Sequence, residues 1–164
     1  SQLYQAQRKP TKDNTLQIAA VPFSYQIDVV EFPLYASANS GKNRFLLTVE
    51  ICSRKAFAYP IASKGSAENV LKAYQLFTQD ASEVVSVSGD DFFSNKLFKD
   101  FNKKHNIDVH TSVAKEDHFC SQGNKLGIID RCVRTIKAFS TKHVLQTGNT
   151  KWTSYLEDII QLYN

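Results

Sequence analysis

Hydrophobic and polar positions come in blocks along this chain, and the period of the alternation changes from block to block. Tyr25-Gln-Ile-Asp-Val-Val-Glu-Phe32 is rich in β-formers, and Pro33 with the Ser-Ala-Asn-Ser-Gly stretch that follows ends it in a turn, which predicts a first strand. Phe45–Glu50 and Ala56–Ile61 predict two further strands joined by Cys52–Lys55. From Glu68 to Phe77 the apolar residues Val70, Leu71, Tyr74 and Phe77 recur at helical spacing, with Ser66 placed as an N-cap. Val84–Val87 predicts a short strand. Leu97, Phe98 and Phe101 mark a helix, and Ile107–Thr111 a fifth strand. A polar, Gly-bearing loop over Ala114–Asn124 then leads into Leu126–His143, where Ile129, Val133, Ile136 and Phe139 or Ser140 stripe a long helix. Trp152, Tyr155, Leu156, Ile159, Ile160 and Tyr163 stripe a last one, set apart by Gly148 and Asn149.

Strands first, then strands alternating with helices, predict an α/β domain built on a mixed five-stranded sheet flanked by helices, a class whose active sites sit at strand ends. At 164 residues, with 42% hydrophobic and 22% charged positions, one domain with a real core is expected. It is assigned to residues 23–164. Residues 1–22 carry Arg8, Lys9 and Lys12 without apolar periodicity and read as a basic arm or interdomain linker. The absence of methionine points to a segment of a longer protein. No apolar run approaches a membrane span, so a soluble protein is expected. Cys52, Cys120 and Cys132 are scattered without metal spacing and read as reduced thiols of an intracellular protein.

The net charge of +4 is mild but uneven. Between Asn124 and Lys151 lie Lys125, Arg131, Arg134, Lys137, Lys142 and Lys151 against the single acid Asp130, a concentration that suits a polyanion. Acids near strand ends are the candidate chemistry. Asp28 interrupts the apolar first strand between Ile27 and Val29. Asp90 and Asp91 follow the fourth strand, and Asp130 falls in the first turns of the long helix. An isolated aspartate is ordinarily a solvated surface carboxylate. Three held on rigid elements can instead share hard divalent cations, which prefer oxygen ligands, and a pair of such ions supports in-line phosphoryl transfer.

Five ordered stretches carry a more specific likeness: Tyr25–Asp28, Phe45–Pro60, Phe98–Ile107, Asn124–Lys137 and Trp152–Asn164. In these the chain resembles the catalytic core of retroviral-type integrases, found in retroviruses, retrotransposons and the large self-synthesising DNA transposons (Maverick/Polinton type) with their viral relatives, and its pattern sits nearest the last group. The resemblance implies an RNase H-like fold and a DNA integrase or transposase core that processes 3′ ends and transfers strands. It implies catalytic and metal-binding roles for Asp28, Asp90 and Asp130, and two Mg²⁺ or Mn²⁺ ions as cofactor. The interval from Asp90 to Asp130 agrees with the family's spacing.

Two positions depart from the family's pattern. Its second acid opens an Asp-x-Gly-x-Glu-Phe-like turn, whereas Ser88-Gly-Asp-Asp-Phe-Phe-Ser-Asn95 stands here, leaving Asp91, or an alignment that puts Ser88 at the acid position, as alternatives to Asp90. Asp130 stands where a glutamate is usual, one methylene shorter, and displacements of about an ångström can cost on the order of a hundredfold in rate.

By the same resemblance Arg134 and Lys137, one and two turns after the third acid, would touch the element's DNA end. Lys125 and Arg131 join them as candidate DNA contacts, a structural role being equally open for Arg131. His110 reads as a structural histidine, and Lys115 and Gln122 as loop positions able to meet DNA. Implied partners are element-end and target DNA and a second copy of the chain, as a homodimer or higher oligomer, with no membrane. The implied location is the nucleus or a viral particle or factory. Two other readings stay open: a catalytically decayed descendant kept as a DNA-binding or assembly domain, and an RNase H-like nuclease without joining activity.

Overall fold

The computed structural model describes residues 21–32, 35, 37–61, 65–111 and 126–164. Most of the basic arm, the loop over 114–124 with Lys115, Cys120 and Gln122, and the candidate DNA contact Lys125 lie outside the described residues. Among the described residues five strands and four α-helices follow one another as β1 (Ser24–Glu31), β2 (Arg44–Glu50), β3 (Ala56–Pro60), α1 (Ala67–Asp80), β4 (Ser86–Gly89), α2 (Lys96–Lys104), β5 (Asp108–Thr111), α3 (Gly127–Thr147) and α4 (Trp152–Tyr163). Short 3-10 turns stand at Ser37–Asn39 and Asp91–Ser94. Among the described residues no helix is long and apolar enough to cross a membrane.

The sheet order is β3-β2-β1-β4-β5. β1, β2 and β3 form an antiparallel meander, and β4 and β5 add to the other side of β1 in parallel, so the sheet is mixed. Alternation along the central strands separates two cores. Tyr25, Ile27 and Leu46 face α1 and α2, where they pack with Val70, Tyr74, Phe77, Phe93 and Phe98. Val30, Phe45, Leu47 and Val49 face α3 and α4 and meet Ile129, Cys132, Ile136, Trp152, Leu156 and Ile160.

Two element boundaries and one helix face differ from the expected ones. The fourth strand runs over Ser86–Gly89, two residues later than the apolar run alone implied, which brings Asp90 to the very end of its ladder. The long helix continues to Thr147, where Gly148 at φ 67° closes it in the left-handed conformation that glycine adopts without steric cost. On its inner face Ser140 is buried and shares a 2.9 Å hydrogen bond with the Tyr155 hydroxyl, while Phe139 is exposed, and Cys132 joins the stripe.

Candidate active site

The strand order reverses direction at β1: the chain leaves β1 for β2 on one side and returns from α1 into β4 on the other. Ligands of open α/β sheets bind outside the carboxyl ends of strands at such a switch point, because the diverging connections leave a crevice there. Backbone register brings two acids to this place. β1 and β4 are parallel with Gln26 opposite Ser88, so Asp28 and Asp90, each two residues further along, come level with one another. Gly89, just before Asp90, leaves room for Phe93 to pack against the end of β4: a Cβ there would stand 2.6 Å from Cδ2 of Phe93 and 3.0 Å from Cγ2 of Ile27. The Asp90 carboxylate also accepts the Phe92 N–H at 3.0 Å and so caps the 3-10 turn that begins with Asp91.

Asp130 arrives from the opposite layer. Its helix has no side-chain cap of its own, since the residue before α3 is Leu126. The fully buried Gln26 supplies one instead, its Oε1 accepting the Ile129 N–H at 2.9 Å. Gln26 and Asp28 project from the same face of β1, so one strand carries both the first acid and the side chain that fixes the helix start beside Asp130. Gln26 escaped the sequence reading; the available signal was a second polar residue two positions before Asp28 in an otherwise apolar strand.

Asp28 responds to both of the other acids. Burial, and next the charge of Asp90, push the half-buried Asp28 carboxyl up to about 6, with Asp130 adding to the rise; the Val29 N–H, donating to Oδ1 at 2.9 Å, and the Lys137 charge oppose it. Asp28 and Asp90 also share the wall of a cleft of about 220 Å³ with Glu31, Arg44, Gly65 and Phe92, a cleft to which Asp91 does not contribute. The acids are hard oxygen donors, and a divalent cation would offset the charge of Asp90 and Asp130 that acts on Asp28; in that respect the donor set fits one. Among the described residues, however, no three His, Cys, Asp or Glu side chains close around a single point.

The basic residues divide between two sides of α3. Lys137 is near enough to favour ionised Asp28. Arg134 shares the helix face of Asp130 and Lys137 and is exposed, as they are. Arg131 lies towards α4: burial, then Cys132, raise the Tyr163 hydroxyl above its ordinary value, and Arg54 and Arg131 oppose that rise. Among the described residues the one ion pair within 4 Å joins Arg44 to Glu31, so Asp130 and Arg134 are not closed into a pair. His110, read as a structural histidine, stands exposed in the edge strand β5, opposite Ser88. Ser88 itself lies inside the β4 ladder, one residue short of its end.

No protein-family model and no curated protein matches the sequence. Solved structures do. A chain of the simian T-cell lymphotropic virus intasome in complex with the PP2A regulatory subunit B56 gamma matches with a TM-score of 0.70 at 12% identity, over 86% of this chain and 48% of that one. The catalytic core domain of BIV integrase matches with a TM-score of 0.60 at 15% identity, over 86% and 80% of the two chains. The HTLV-2 integrase catalytic core domain in complex with magnesium, in dimeric form, gives 0.63 at 16% identity over 85% of each. The fold is that of a retroviral integrase catalytic core. At these identities the likeness is one of fold, and the RNase H-like five-stranded mixed sheet with flanking helices is as expected. This chain spans about half of the intasome chain it matches.

Proposed function

We propose that this domain is the catalytic core of a DNA integrase or transposase, acting through Asp28, Asp90 and Asp130 on the ends of its own element and on target DNA. The observation that carries the reading is that Asp28 of β1 and Asp90 at the end of β4 line one cleft at the switch point of the sheet, with Asp130 at the start of α3 near enough for its charge to act on Asp28. The fold shared with integrase cores, one of them in complex with magnesium, supports the same reading.

Asp28, Asp90 and Asp130 would hold two Mg²⁺ or Mn²⁺ ions, which when bound supply polarisation of a phosphodiester and of the hydroxyl that attacks it. The protein's own share is positioning. Asp28 is held in the β1–β2 ladder, Asp90 stands between the end of β4 and the 3-10 turn it caps, and Gln26 holds the helix that brings Asp130. Lys137 and Arg134 present positive charge on the face of α3 that carries Asp130, where phosphates of an element end would lie. Water or a DNA 3′-hydroxyl serves as nucleophile, so no side chain forms a covalent intermediate. By analogy with the dimeric HTLV-2 core, the chain would work as a homodimer or higher oligomer.

The test is Mn²⁺-dependent reversal of strand transfer on a branched DNA substrate, comparing wild type with Asp28→Asn, Asp90→Asn, Asp91→Asn and Asp130→Asn. Loss in the Asp28, Asp90 and Asp130 variants with retention in Asp91→Asn is expected; full activity in Asp28→Asn would sink the assignment.

A second reading, a DNA-binding or assembly domain without catalysis, draws on the exposure of Asp130 and on the open arrangement of the acids among the described residues. Calorimetric titration with millimolar Mn²⁺ separates the two: a folded protein that takes up no ion supports the second.

A further inference from the structure

The cleft that holds Asp28 and Asp90 has a second wall with different chemistry. Arg44 opens β2 opposite Glu31, and its guanidinium is held in three ways. Nε donates to Oδ1 of Asn43 at 3.2 Å, Nη2 stands 3.7 Å from Oε1 of Glu31, and Nη1 occupies the space where a side chain at Gly65 would begin. The Gly65 contact is the telling one. A Cβ at that position would fall 2.1 Å from Nη1 and 2.6 Å from Cζ, so the seat exists only because residue 65 has no side chain.

A surface ion pair does not account for this seating. The Glu31 side chain is 61% exposed and the contact is long, a geometry that contributes little. Among the described residues no other carboxylate comes within 4 Å of Arg44, although Asp28 and Asp90 line the same cleft. The result is a pre-oriented cation lining the same cleft as two acids with much of its fork unengaged, which suits the bidentate geometry of a phosphate. Phe92 completes the wall. It is 38% exposed, and its ring meets Phe93 and Phe98 in edge contacts at 5.3 and 6.0 Å. Exposed aromatic rings beside cationic groups are the platforms on which unpaired bases stack.

We infer that Arg44, Gly65 and Phe92 form a subsite for one unpaired nucleotide of a DNA strand, with its phosphate on Arg44 and its base against Phe92. The nucleotide so held sets the adjoining phosphodiester at Asp28 and Asp90. The identity of the ligand as DNA rests on the integrase reading; the seat and its charge do not.

The experiment is fluorescence anisotropy of a labelled oligothymidylate with the full chain in EDTA, across a salt series, for wild type, Arg44→Gln, Gly65→Ala and Phe92→Ala. Thermal melting confirms that each variant folds. Arg44→Gln is expected to weaken binding about tenfold and to lower the slope of log affinity against log salt by about 0.7, the loss of one phosphate contact. Gly65→Ala keeps every charge but evicts the guanidinium, and is expected to weaken binding severalfold. Phe92→Ala is expected to weaken it to a similar degree with no change in salt slope. Wild-type affinity and slope in both Arg44→Gln and Gly65→Ala, or no binding by wild type, overturns the subsite. The branched-DNA assay on wild type separates the two readings. Transfer without an Arg44 effect on binding removes the subsite alone; an Arg44 effect without transfer removes the integrase reading and leaves a nucleotide subsite.

Discussion

The helices on the two faces of the sheet begin in different ways. α1 and α2 are capped by the residue just before each, Ser66 accepting the Asn69 N–H at 3.3 Å and Asn95 the Phe98 N–H at 3.2 Å. α3 and α4 have no local side-chain cap, and amides from far away serve them. Gln26 reaches Ile129 across 103 residues of sequence, and Asn39 accepts the Thr153 N–H at 3.0 Å across 114 while donating to the Thr150 carbonyl. A local cap starts a helix wherever it lies, but a remote one starts it at a stated place on the sheet. The site uses the second kind for Asp130, whose helix start Gln26 and the buried Ile129 fix together, and the strands β1 and β4 for Asp28 and Asp90.

The largest expected effect is on the acids themselves. Asp28→Asn and Asp90→Asn, held by register, should each lose about a thousandfold or more in Mn²⁺-dependent reversal of strand transfer, and Asp91→Asn less than about twofold. Next comes Gly89→Ala, which forces Phe93 out of its place against the end of β4. It should cost about 2–3 kcal/mol in urea unfolding and take activity with it. The comparison of caps is tested directly by Gln26→Leu against Ser66→Ala. Gln26→Leu leaves a buried N–H orphaned and should cost about 2 kcal/mol, with faster hydrogen exchange at Ile129 and Asp130. Ser66→Ala should cost about 1 kcal/mol with exchange altered in α1 alone. Equal exchange effects on α3 from both would break the distinction.

The smallest effect is a pH dependence. The Asp28 carboxyl titrates near 6 in the fold and near 3.8 in a free chain, so the folded state favours its protonated form. The stability this gives is fully present below about pH 4 and is lost as the pH rises through about 6. Asp28→Asn should therefore be more stable than wild type at pH 8, by about 1 kcal/mol after solvent screening of a half-exposed group, and the gain should vanish by pH 4. Matched denaturant melts at the two pH values measure it.

Several features were legible residue by residue. The Ser66 cap, the Gly148 stop and the stripe of α4 follow from short-range spacing, and α4 occupies Trp152–Tyr163 as read. The fourth strand was displaced because Val84 and Val85 look like strand interior, while the ladder with β1 and β5 extends to a glycine that carries no hydrophobic signal. Asp28 announced itself as a carboxylate inside an apolar strand. Asp90 and Asp91 could not be told apart along the chain, since both follow the same strand; the register with β1 sets Asp90 level with Asp28 and turns Asp91 into the 3-10 turn. Arg44 and Gly65 gave no signal, because a lone arginine and a lone glycine mean nothing until folding lays one across the other.

By itself, then, the sequence determined the elements, their order and the two apolar faces that must be buried, because those depend on periodicities of two and 3.6 residues and on caps within four residues of where they act. Only the tertiary structure decided which carboxylates share a cleft, which helix starts are held and what else lines that cleft. Those relations are set by strand register and by side chains reaching across a hundred residues, and no local pattern records a distance that exists only once the chain has closed on itself.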